Sequence, residues 1–172
     1  FGNERVFASI YGMQSSGRWL FLNVERKGWR GPWISDGTPK GTKILPRARS
    51  LKLSNPDSFV NYKGSIFFLA YTRKGRALVK MNQAGQGARV VSRFKSAFDL
   101  TVSDQALYFT ADDRKHGGEP WRSLGTAKST RLVRDVFPGS QGSYAADFTE
   151  YRGRTFFSAT DALGYDNQGL WS

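Results

Sequence analysis

The sequence predicts an all-β fold, a propeller-like repeat of four-stranded antiparallel blades with four units visible and the last incomplete. Three observations predict it. The first is a phrase repeated along the chain: Trp33-Ile-Ser-Asp-Gly-Thr-Pro-Lys-Gly-Thr, then Val79-Lys-Met-Asn-Gln-Ala-Gly-Gln-Gly-Ala, then Trp121-Arg-Ser-Leu-Gly-Thr-Ala-Lys-Ser-Thr. An apolar pair (Ile44-Leu45, Val90-Val91, Leu132-Val133) begins 11 residues after each phrase opens. The second is an aromatic or aliphatic run upstream of every phrase. The third is turn chemistry between the runs, with no sustained helical period anywhere.

Each unit reads as four strands. In the first, Val6–Ile10 and Trp19–Leu22 precede the strand opening at Trp33, and Ile44-Leu45 closes the unit. The second runs Phe59–Tyr62, Ile66–Leu69, Val79 onward and Val90-Val91. The third runs Phe98–Val102, Leu107–Phe109, Trp121 onward and Leu132-Val133. Phe148–Tyr151 and Thr155–Phe157 open a fourth, where Leu170-Trp171-Ser172 begins one more phrase. These runs are rich in β-branched and aromatic residues and bounded by Gly, Asn, Asp or Ser. Tyr62-Lys-Gly-Ser65, Ser103-Asp-Gln105 and Tyr151-Arg-Gly-Arg154 are hairpin-sized links. Asp36-Gly37, Ala84-Gly85 and Leu124-Gly125 are read as the same point of the phrase, between strands three and four, where a positive φ is expected. Residues 1–172 form one β-repeat domain, with units of about 1–50, 51–95, 96–139 and 140–172, read as part of a longer propeller.

The phrase at Trp33 resembles the ELWxxDGT repeat family of large bacterial surface and secreted proteins. Phe109-Thr-Ala-Asp-Asp-Arg-Lys-His-Gly-Gly-Glu-Pro-Trp-Arg-Ser-Leu-Gly-Thr resembles it too. The likeness weakens around Val79, which stands in place of Trp, and Leu124 departs from the family's Asp. The resemblance implies a propeller-like fold and an adhesive or scaffolding role. It implies no catalytic residues.

Charge supplies the functional signal. The chain carries a net +12, and it is segregated: residues 1–95 hold +14, residues 96–172 hold −2. Such a field draws and orients an anionic partner. The expected partner-binding residues are Lys40 and Lys43, then Arg47, Arg49 and Lys52 in the connection between the first two units, and Arg73, Lys74 and Arg76 in a tight loop. The expected function is non-enzymatic: a rigid platform docking an acidic protein surface or another polyanion, as an accessory subunit of a larger assembly. The alternative is a secreted adhesin or lectin binding polysaccharide, with Trp33, Trp121 and Trp171 lining sugar pockets; packing is the competing role for those rings. Nucleic acid is disfavoured, since the aromatics fall at core positions and no RNA-binding or zinc-finger signature occurs.

Sites for chemistry are sparse. There is no cysteine and a single histidine, His116, in Asp112-Asp113-Arg-Lys-His-Gly-Gly-Glu119. A structural role in that loop, beside Trp121, is expected of it. Asp112-Asp113, and Asp161 with Asp166, lack an EF-hand spacing and read as turn formers. No catalytic, cofactor or metal residue is assigned. No apolar run reaches the length of a membrane helix. The expected location is extracytoplasmic: secreted, on the cell surface or in an organelle lumen.

Overall fold

A computed structural model of the chain describes residues 9–161 and 168–172. They form four antiparallel sheets, each a simple meander in which every strand pairs with the next in sequence. The first sheet holds β1 (Ser9–Ser16), β2 (Trp19–Arg26), β3 (Trp29–Ser35) and β4 (Lys43–Ile44). The second holds β5 (Ser54–Tyr62), β6 (Ser65–Thr72), β7 (Gly75–Asn82) and β8 (Arg89–Phe94). The third holds β9 (Ser96–Ser103), β10 (Ala106–Asp112), β11 (Gly118–Ser123) and β12 (Arg131–Leu132). The fourth has three strands, β13 (Ala146–Tyr151), β14 (Arg154–Thr160) and β15 (Gln168–Trp171). No closed ring forms among the described residues.

The residue that opens each phrase occupies one register position. Trp33 pairs with Leu22, Val79 with Phe68, Trp121 with Phe109 and Trp171 with Phe157. From there period-2 alternation sorts the side chains onto the two faces of each sheet. Ile66, Phe68 and Ala70 join Phe21 and Ile34 in the core between the first and second sheets. Phe67 and Leu69 face the other way, joining Leu107, Phe109 and Ala111 between the second and third. Ala106 and Tyr108 turn toward Phe148 and Phe157 of the fourth. Because β6 and β10 lie between two cores, both read as almost continuous apolar runs rather than alternating ones.

Ring stacking repeats between the sheets. Phe59 on β5 lies between Phe21 and Phe68, with ring centroids 5.3 and 4.8 Å away. Phe148 on β13 lies between Tyr108 and Phe157 at 5.9 and 5.4 Å. Leu100 fills the corresponding place in the middle core. A few polar bonds cross the same junctions. Tyr62 donates its hydroxyl to the Gln105 carbonyl (2.6 Å), Ser103 and Thr155 share a bond (2.8 Å), and the Thr110 hydroxyl donates to the Ala145 carbonyl.

Turns follow the expected chemistry with two departures. Lys63-Gly64 and Arg152-Gly153 have positive φ at both central positions, the type I′ pattern that matches strand twist. Gly37, Gly85 and Gly125 have φ of 90°, 70° and 89°. Gly85, however, lies six residues after its phrase opens, against four for the others, and Asn82 organises that turn by accepting from Gln86 N (2.8 Å). A Cβ on Gly125 would stand 2.8 Å from the Phe67 ring of the preceding sheet, so this glycine supplies close approach as well as dihedral freedom. The second departure is strand one, expected over Val6–Ile10. It runs from Ser9 to Ser16, and Val6–Ala8 lie outside the described residues.

Candidate polyanion-binding end

Successive turns of a meander alternate between its two ends. Side-chain contacts show that the sheets share this polarity. Beside the Lys27-Gly28 turn, the Trp29 ring lies under the Arg49 guanidinium of the β4–β5 connection, 4.9 Å away. Arg76, next to the β6–β7 turn, bonds Asn55 and Asp57 early in β5. Lys95, between β8 and β9, pairs with Asp112 at the end of β10 (2.9 Å). The even-numbered turns and the sheet-to-sheet connections therefore gather at one end.

That end collects cations. Arg47, Arg49 and Lys52 lie in the β4–β5 connection and Arg73 and Lys74 in the β6–β7 turn; all five are exposed. Arg26 and Lys27, which sequence reasoning did not select, are exposed there as well. Among the described residues, none of these seven forms an ion pair. Three carboxylates at the same end are engaged elsewhere: Asp57 by Arg76, Asp112 by Lys95 and Asp113 by His116. Arg26, Lys27, Trp29, Trp33, Ile44 and Arg49 surround an open pocket of about 270 Å³. An indole face beside three cations can accept a flat apolar surface and an anionic group at once.

The remaining expected residues lie elsewhere. Lys40, in the β3–β4 loop, and Lys43, first in β4, are exposed at the opposite end. Arg76 is a correction. It was expected in a tight loop, but it belongs to β7 and is buried. Its Nε donates to the Ala97 carbonyl (3.1 Å) and Nη1 to the Asn55 carbonyl (2.8 Å), while Nη2 meets the Asp57 carboxylate. It joins β5, β7 and β9 and presents nothing to a partner. The repeat held a signal for this: Arg30 occupies the same position three residues before its phrase, and its guanidinium also packs on a tyrosine, Tyr11, at 3.1 Å.

The repeated tryptophans divide. Trp121 packs on Phe94 at 5.1 Å and donates its Nε1–H to the Ala111 carbonyl (3.0 Å). Trp171 makes the equivalent bond to Ala159 (3.2 Å) and packs on the third core. Trp33 instead lines an open pocket, and its buried Nε1 has no hydrogen-bond partner among the described residues.

The acidic loop is held by its own bonds. Asp113 Oδ1 accepts from the backbone N–H groups of Lys115 and His116 (both 2.9 Å), and Oδ2 lies 3.0 Å from His116 Nδ1. Burial pushes the Asp113 carboxyl up, but these bonds outweigh it and hold the group below the usual carboxylate range. Glu119, unremarked in the sequence, is fully buried and accepts from Val136 N (3.0 Å), Phe137 N (3.1 Å) and the Ser143 hydroxyl (2.7 Å). Desolvation raises its carboxyl above 4.5, and those donors offset the rise only in part. Among the described residues no cluster of three His, Cys, Asp or Glu side chains could hold a metal ion; Asp166 lies outside them.

No family model matches this chain, and no curated protein matches it.

Proposed function

We propose that this protein is a binding platform, a propeller-like stack of blades whose cation-bearing end docks an acidic polypeptide surface as an accessory part of a larger assembly. The observation that carries the reading is the set of seven exposed cations that share one end of two adjacent sheets and have no ion-pair partner among the described residues. The scaffold beneath them is rigid because both faces of the second and third sheets are buried. Rigid support lowers the ordering cost of binding. The propeller description rests on consecutive four-stranded meanders packed face on face and on the resemblance of the phrases to ELWxxDGT repeats.

One observation favours a second reading, binding of an anionic polysaccharide. The pocket beneath Arg49 places the indoles of Trp29 and Trp33 beside Arg26 and Lys27, a surface suited to a charged sugar ring. Trp121 and Trp171 are engaged in packing, so one such pocket is supported rather than one per repeat.

The test reverses Arg47, Arg49, Arg73 and Lys74 to Glu together and leaves Arg76 intact. Binding to immobilised polyglutamate is expected to weaken by at least roughly tenfold, about 1.4 kcal/mol, with the thermal melt unchanged. Reversing Lys40 and Lys43 at the opposite end should change binding little. Dextran sulfate as competitor separates the readings: tight binding to it, lost in Trp29→Ala but with polyglutamate binding retained, selects the polysaccharide. Equal polyglutamate binding by the fourfold variant and the parent overturns the basic-end proposal.

A further inference from the structure

The two outermost sheet faces carry the halves of a junction that the protein builds three times internally. On the second sheet, Tyr62, Phe67 and Leu78 face the third sheet and are 4%, 1% and 0% exposed. The fourth sheet has the same three residue types at the same repeat positions: Tyr151, Phe156 and Leu170. Here Tyr151 is 57% and Leu170 78% exposed, and with Phe156 they line an open depression of about 520 Å³. Nothing among the described residues covers them.

The first sheet carries the receiving half. Leu100, Phe109 and Trp121 accept the Tyr62, Phe67 and Leu78 face. Met13, Leu22 and Trp33 occupy the same repeat positions: Met13 pairs with Leu22, and Leu22 with Trp33. Met13 stands where Phe59 and Phe148 are each stacked between two rings, yet it is 63% exposed. Gly37 gives an independent mark. Gly125, at the same point of its phrase, would bring a Cβ within 2.8 Å of the Phe67 ring, whereas no atom of the described residues lies within 4 Å of that point at Gly37. Among the described residues nothing fills, at the first sheet, the space that Phe67 fills in the internal junction, although Leu22 at its floor is only 6% exposed beside Met13 at 63%.

We infer that the fourth sheet of one copy packs on the first sheet of a second copy, repeating the internal junction between chains. Phe156 then rests over Gly37 and against Met13 and Leu22 as Phe67 rests over Gly125 and against Leu100 and Phe109. The Tyr151 hydroxyl meets the Arg18 carbonyl, which holds the repeat position of Gln105, the acceptor for Tyr62. Charge selects this head-to-tail arrangement over a like-with-like one. It sets the half bearing +14 beside the half bearing −2, whereas first sheet against first sheet would oppose two strongly basic halves. Two equal junctions relate a pair of chains by a two-fold axis. Since the new junction continues the internal repeat, the cation-bearing ends of both copies point the same way. The inference does not depend on the identity of the anion.

Light scattering after size exclusion, over micromolar to hundreds-of-micromolar chain, tests it. The expected mass is about twice 19.3 kDa at the upper concentrations. Met13→Glu and Phe156→Glu should each shift the protein to a single-chain mass, with circular dichroism and melting of the monomer unchanged because both side chains lie on open faces. Mixing the two variants should restore a paired species, since one chain keeps a sound fourth sheet and the other a sound first sheet. A single-chain mass at every concentration overturns the inference. So does a pair that survives Phe156→Glu, or a mixture of variants that fails to associate.

Discussion

Arg76→Ala is expected to lower the unfolding free energy by about 2–4 kcal/mol, measured by urea denaturation at neutral pH. The guanidinium spans three strands, and its removal leaves the Ala97 and Asn55 carbonyls without their donors. The exposed Asp57 can return to water, so the loss arises from the backbone acceptors and from the packing of Arg76 on Tyr71 at 4.6 Å. Arg76→Lys should recover only part of the stability, because an ammonium cannot reproduce the fork that reaches both carbonyls and the carboxylate. Binding of polyanions by molecules still folded should be unaffected. An Arg76→Ala protein as stable as the parent, with weakened polyanion binding, would mean that the side chain works at the surface after all.

Glu119→Ala should cost about 3–5 kcal/mol, since it strands the buried N–H of Val136, the part-buried N–H of Phe137 and the buried Ser143 hydroxyl at once. Those bonds fasten the connection through Val136 and Ser143 that carries the chain from the third sheet to the fourth. The pH dependence is a second readout. Burial raises the Glu119 carboxyl above its ordinary value, so the folded state holds its proton more tightly than the unfolded chain does. That contribution to stability is fully present below the unfolded value and is lost as pH rises through the raised folded one. The difference between parent and Glu119→Ala stability curves should therefore change as pH rises from the unfolded value through the folded one. A constant difference at all pH values would show that Glu119 ionises as it does in the unfolded chain.

The strands and their order were legible because each unit repeats the same pairing, with the phrase-opening residue opposite an apolar one. The positive φ at Gly37 and Gly125 was legible for the same reason. What a linear reading could not supply was the end of the sheet to which each loop belongs. Lys40 and Arg47 are seven residues apart, yet β4 passes between them and places them at opposite ends. Arg76 misled because it follows a charged turn closely. The turn closes at Gly75, which pairs with Thr72, and Arg76 pairs with Tyr71 inside the sheet. Arg26 and Lys27 were missed because they sit at a hairpin rather than in a cluster, and join Arg49 only through the fold. Nothing in the linear text around Glu119 marks it as buried. Its burial follows from a connection that returns from residues 136–143 to cover it.

The central claim is that the end bearing Arg47, Arg49, Arg73 and Lys74 binds a polyanion through charge. It is tested most directly by the affinity for polyglutamate as a function of salt. Exposed charges are screened over about 8 Å at physiological ionic strength, so the account predicts affinity that falls steeply with added salt and falls less steeply in the fourfold reversal variant. Affinity that is indifferent to salt, or a slope unchanged by those four reversals, would contradict it.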